Sequence, residues 1–240
     1  MGQGQSDRHL HKKNERVYFM AKSATGLDKI TVTAANSQIS TNVAALAATQ
    51  SDGSLNPLII TADTDTIVVT RPASSLLQVS VYISNITSKL NVFPVFESTN
   101  VQFKSGINAF FGFPETQGKI LTMQNLNLTQ ASGDMVAYSG LPDDPSNSHV
   151  FFQSNAFSKN KFYNQLNMPL DFFYLSQIDS GVTYQVYLQT MTTEIAPSGV
   201  LMTANYPWMS TIQYTTTELI TLYSNGRNVK LEIHGVFFTA

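Results

Sequence analysis

The chain has 240 residues, of which 42% are hydrophobic and only 12% charged, with a formal net charge of −2 and no cysteine. This length suffices for one large β domain or two small ones, burying about 70% of the unfolded surface without covalent staples. The missing cysteines exclude a disulfide framework, a thiolate zinc site and thiol catalysis, and no apolar run approaches the ~18–20 residues of a membrane-spanning helix.

In chain order, the first segment is basic. Residues 1–29 hold six of the 14 basic side chains (Arg8, Lys12, Lys13, Arg16, Lys22, Lys29) against three acids, leaving eight basic and thirteen acidic residues beyond them, a balance of −5. Low periodicity makes this a flexible basic arm, with a short ordered piece at Val17–Met20. Arg8, Lys12, Lys13 and Arg16 suit phosphate neutralisation by counterion release, so nucleic acid or an anionic membrane surface is the arm's expected contact. Met1–Ser6 matches the pattern for myristoylation of Gly2, while Met1–Lys13 lacks the apolar core of a secretory signal, so a soluble, unprocessed chain is expected. Ile30–Thr33 reads as a short strand. Ala34–Asn56 is rich in Ala, Ser, Thr, Asn and Gln and reads as a linker or extended arm, with a helical turn at Val43–Ala48. Residues 1–57 are accordingly assigned to arm and linker, and 58–240 to one folded domain.

Regular β signal begins there. Leu58–Thr61 and Thr66–Thr70 are β-branched runs, the second closed by Arg71-Pro72. In Leu77–Ser84 apolar residues take every second position, which predicts Leu77, Val79, Val81 and Ile83 on one buried face. Further strands are expected at Leu90–Phe96, Ala109–Phe113, Ile120–Leu128, Met135–Tyr138 and Val150–Phe152. Asn155–Asn167 has few β-branched residues and is expected to hold a short helix or irregular excursion near Phe157–Leu166. Leu170–Leu175 reads as a strand covered on both sides, and Val182–Gln189 as an alternating strand with Val182, Tyr184, Val186 and Leu188 inward. At the C-terminus Leu219–Tyr223 and Val229–Val236 flank Asn225-Gly226, the signature of a type I′ hairpin. About eight to ten antiparallel strands in one domain predict an all-β, antiparallel β-sandwich of jelly-roll type.

Candidate chemistry is sparse. His9, His11, His149 and His234 are dispersed, and no nucleophile elbow, P-loop or zinc-protease motif occurs, so neither an enzyme nor a cofactor is expected. Asp63 with Asp65, and Asp143 with Asp144, Ser146 and Asn147, offer oxygen ligands to calcium, with solvated turns as the simpler reading and no metal site assigned. The sequons at Asn85 and Asn127 read as coincidence in an Asn/Thr-rich chain. Tyr206-Pro207-Trp208 offers a core or interface anchor, or a glycan-stacking platform formed by Tyr206 and Trp208.

With a basic arm, an extended Ser/Thr/Ala-rich segment and then about eight strands with long polar loops, the layout of residues 1–240 resembles that of single jelly-roll capsid proteins of icosahedral viruses. No diagnostic motif accompanies this resemblance, so no functional residue is carried over. It implies a viral structural protein found in the virion. That protein would be a capsid shell subunit or a vertex or cement component, partnered by copies of itself and other virion proteins, with its arm directed inward to genome or an internal membrane. The alternative expectation is a β-sandwich glycan- or receptor-binding module.

Overall fold

A computed structural model describes residues 10–22, 25–63, 65–72, 77–96, 98–101, 105–112, 119–127, 135–153, 162–168, 172–176, 183–190 and 199–200. Strands dominate. They are β1 (Arg16–Met20), β2 (Thr31–Ala34), β3 (Ile39–Asn42), β4 (Leu58–Ile59), β5 (Ile67–Thr70), β6 (Ser80–Ser84), β7 (Leu90–Val95) and β8 (Ser98–Val101). There follow β9 (Ile107–Gly112), β10 (Lys119–Asn127), β11 (Val136–Ser139), β12 (His149–Gln153), β13 (Phe162–Met168), β14 (Phe172–Ser176), β15 (Thr183–Thr190) and β16 (Gly199–Val200). One α-helical turn, α1 (Val43–Leu46), starts where the Asn42 side chain accepts the Ala45 N–H at 2.9 Å, as an N-cap should. It lies inside the expected Val43–Ala48 turn.

The strands form four sheets, ordered β3-β2-β5, β4-β1-β6, β12-β11-β14-β9-β7 and β16-β13-β10-β15-β8. In the two larger sheets the antiparallel pairs nest. β8 pairs with β15, β9 with β14, β10 with β13, and β11 with β12. The fold class is therefore all-β, built of mainly antiparallel sheets. Among the described residues β7 is a parallel edge strand beside β9, and this position tolerates Pro94, which has no N–H to give a further neighbour. On one face of the β9 sheet the rings of Phe93, Phe110 and Phe173 stack, with centroids 5.0 and 4.8 Å apart. Tyr184 of β15 meets Phe110 edge-on at 6.0 Å, so the two larger sheets share this aromatic core.

The other face of the β9 sheet is also covered. Leu90, Val92, Ala109 and Tyr174 pack with Tyr18, Met20 and Tyr82 from β1 and β6. The opposite face of β1 sends Val17 and Phe19 into a second cluster with Val32, Ala34, Val43, Leu58 and Ile60. β1 is thus buried on both sides, which is why its apolar residues are consecutive rather than alternating. Phe172–Leu175 repeats the pattern in β14, matching the expectation of a doubly covered strand.

Several expectations change. The described part of the supposed arm and linker is folded: β1 pairs with β4 and β6, and β2 with β5, so strands from both sides of residue 57 share sheets. β3 lies inside the supposed linker, formed by backbone pairing with β2 that needs no apolar periodicity. β13 occupies much of the stretch expected to be helical or irregular, because antiparallel pairing to β10 overrides its weak local β preference. In β6, Val81 is 47% exposed whereas Tyr82 and Ser84 are buried. That sheet is packed on both sides, so alternation along it does not separate core from solvent. Leu77, Val79 and Ile83 nevertheless pack against the second cluster, that of Val17 and Phe19. In β15, Tyr184 and Val186 are buried as expected. The C-terminal hairpin expected at 219–236 lies outside the described residues.

Candidate functional site

The cationic residues singled out in the sequence fall in different settings. Gly2 and Arg8, like Tyr206 and Trp208, lie outside the described residues. Residues 11–16 are bound to 60–65 by a ladder: His11 N–H to the Asp65 carbonyl (2.8 Å), Asn14 N–H to Ile60 (2.8 Å) and Ile60 N–H to Glu15 (3.0 Å). The turn at Lys13-Asn14 is possible because Asn14 takes φ 72°, a left-handed conformation that Asn accepts more readily than most residues. Lys12 and Lys13 are exposed on this turn, and the Lys13 N–H donates to the Asp63 carboxylate at 3.0 Å. Beneath them His11 and Glu15, both nearly inaccessible, are hydrogen-bonded through Nδ1 and Oε2 at 2.9 Å. The arm's base is therefore pinned, and two lysines stand out from it.

Arg16 is held elsewhere. Its guanidinium donates through Nη1 to the Ser88 carbonyl (2.9 Å) and through Nη2 to the Thr87 carbonyl (2.8 Å). These contacts place it in a shallow surface recess of about 470 Å³, lined also by Lys89, Leu90, Asn91 and Ser105. Lys89 Nζ donates to Ser105 Oγ at 3.1 Å, and Asn91 Nδ2 to the Ser105 carbonyl at 3.4 Å. Nothing in the local sequence announces this grouping, because Arg16 and its acceptors are 71 and 72 positions apart.

The acidic pairs do not converge. Asp65 accepts the N–H groups of Asn36 (3.2 Å), Ser37 (2.7 Å) and Thr66 (2.9 Å). Burial works to raise its pKa, but these bonds and the Ser37 side chain outweigh it and hold the carboxyl below its usual value. Asp143 accepts from the Tyr82 hydroxyl, from Ser84 Oγ (2.9 Å) and from the Asn85 N–H (2.9 Å), which ties β6 to the 140–148 turn. Burial, then the bond to Asp143, raises the Tyr82 pKa, so the phenol keeps its proton and acts as donor. Asp144 turns instead to Asn147 Nδ2 (2.6 Å) and Ser146 Oγ (2.7 Å), which hold its pKa below the usual value. Among the described residues no three His, Cys, Asp or Glu side chains gather as metal ligands.

One apolar feature of the surface is not announced by the sequence. Among the described residues β5 is an edge strand, and its Val68 and Val69 are 50% and 45% exposed, one on each side of the strand. Strand edges of this kind invite pairing with another chain.

No protein-family model matches this chain, and no curated protein matches it. The geometry therefore carries the functional argument.

Proposed function

We propose that this chain is a viral structural protein, a capsid shell subunit or a vertex or cement component, which assembles in the virion with copies of itself and other virion proteins. The observation that carries the reading is the nested pairing of β8 to β15: first with last, second with second-last, and so inward, alternating between two sheets. A long hairpin rolled on itself has this order, so it supports a jelly-roll sandwich. Fold alone does not give function. Two surface properties support self-association. The chain beyond residue 29 has few charges to repel a copy, and Ile67–Thr70 is an uncharged, exposed edge. An antiparallel copy centred on Val68 would place Ile67 opposite Val69, a two-fold contact with no like charges apposed. Lys12 and Lys13, exposed at the arm's base, suit an anionic partner inside the shell, either genome or membrane.

Velocity sedimentation with electron microscopy of the purified chain tests this reading. Closed particles or discrete oligomers are expected, and the double substitution Val68→Lys, Val69→Lys should shift them to single subunits with an unchanged circular dichroism spectrum. A monomer at every concentration and ionic strength would reject it.

A further inference from the structure

We propose that the recess between Arg16 and Lys89 is a binding site for an oxyanion, the carboxylate, sulfate or phosphate group of a small ligand. Two cations line one concavity. Among the described residues neither Arg16 nor Lys89 comes within ion-pairing distance of a carboxylate; the contact of that kind found there is between His11 and Glu15. Positive charge without a counter-charge among the described lining residues attracts an external anion.

The donors are also held in place before any ligand arrives. Arg16 is oriented by the two consecutive carbonyls of Thr87 and Ser88, and as a guanidinium it retains further N–H donors after these two bonds. The opposite wall is braced at its backbone, where the Ile107 N–H donates to the Lys89 carbonyl at 2.9 Å. Gly106, at φ +104°, sits so close to that carbonyl that a Cβ would lie 2.3 Å from its oxygen. The Ser105-Gly106 turn is therefore seated directly on Lys89, and the Lys89 ammonium bridges to Ser105 Oγ at the rim. Thr87, Ser88 and Ser105 also line the recess, Ser105 with its Oγ against Lys89 Nζ. Among the described residues no aromatic ring lines the recess, and the lining they form offers no platform for stacking on a nucleobase. Charge-assisted hydrogen bonds to one compact anionic group are what the lining supplies.

Equilibrium dialysis of the whole protein against radiolabelled sulfate, phosphate and acetate, at constant ionic strength in chloride, tests the site whatever the assembly state. Saturable binding with a dissociation constant on the order of millimolar is expected for at least one anion. Preference for sulfate or phosphate assigns the site to a tetrahedral group, and preference for acetate assigns it to a carboxylate. Lys89→Met removes one charge from an exposed side chain and should weaken binding about tenfold. The pair Lys22→Gln, Lys29→Gln, which lowers net charge at exposed positions outside the recess lining, should change it less than about twofold. Binding that never saturates for any of the three anions overturns the proposal, and so does equal weakening by Lys89→Met and by the lysine pair.

Discussion

β1 and β5 are both short strands of mostly apolar residues, yet they meet opposite fates. Arg-Val-Tyr-Phe-Met follows a basic arm and is buried on both faces at the centre of its sheet. Ile-Val-Val-Thr, the more β-branched of the two, lies on a sheet edge with its valines in solvent. Position in the sheet, rather than strand propensity, decides burial here. A strand that joins two layers serves the fold, whereas an uncharged edge strand left open is available to a partner.

The strongest way to break this contrast is truncation. Phe19→Ala should cost about 3–5 kcal/mol in urea unfolding, whereas Val68→Ala should cost less than about 0.5 kcal/mol in the isolated subunit. Comparable losses would mean that the two strands are not differently buried. Next in size, Asp143→Ala should cost about 2–3 kcal/mol, because it leaves the Tyr82 hydroxyl and the buried Ser84 Oγ without their acceptor. Chemical denaturation would measure it, and a neutral outcome would show that the 140–148 turn does not clamp β6.

Tyr184 sharpens the same contrast from inside the sandwich. Its hydroxyl is buried with no hydrogen-bond partner among the described residues, and burial raises its pKa. Tyr184→Phe should stabilise the protein by about 1 kcal/mol, read as an increase in the denaturation midpoint. The smallest effect belongs to Asp65 and is confined to acid. Its folded pKa lies below the ordinary value of 3.8, so the stability it contributes is present above that value and is lost as pH falls through the folded pKa. Asp65→Asn should therefore flatten the loss of stability below about pH 4, as followed by thermal melts at stepped pH. An unaltered acid limb would remove Asp65 from that account.

What was legible in the sequence follows from the range of the interactions. Local alternation and turn residues found most of the strands from β5 to β15, and a consecutive apolar run marked β14 as doubly covered. The same logic failed at β13 and β3, whose Asn, Gln, Ser and Thr become strand by pairing to β10 and β2. It also missed that Val17–Met20 is a sheet centre, because the strands beside it begin at Leu58 and Ser80. Site residues were harder still. Arg16 was marked as an arm cation, but its acceptors at Thr87 and Ser88 and its neighbour Lys89 come from a distant loop. The Asp143 clamp likewise spans 58 to 61 positions.

Amide hydrogen exchange at rising protein concentration tests the central claim most directly, because it reads the buried and the open strand in one experiment. Residues 16–20 should be strongly protected at every concentration, whereas the amides of 67–70 that face away from β2 should exchange rapidly in dilute protein and become protected as copies associate. Protection at 67–70 that is indifferent to concentration while the protein assembles would contradict the edge-strand account of its assembly.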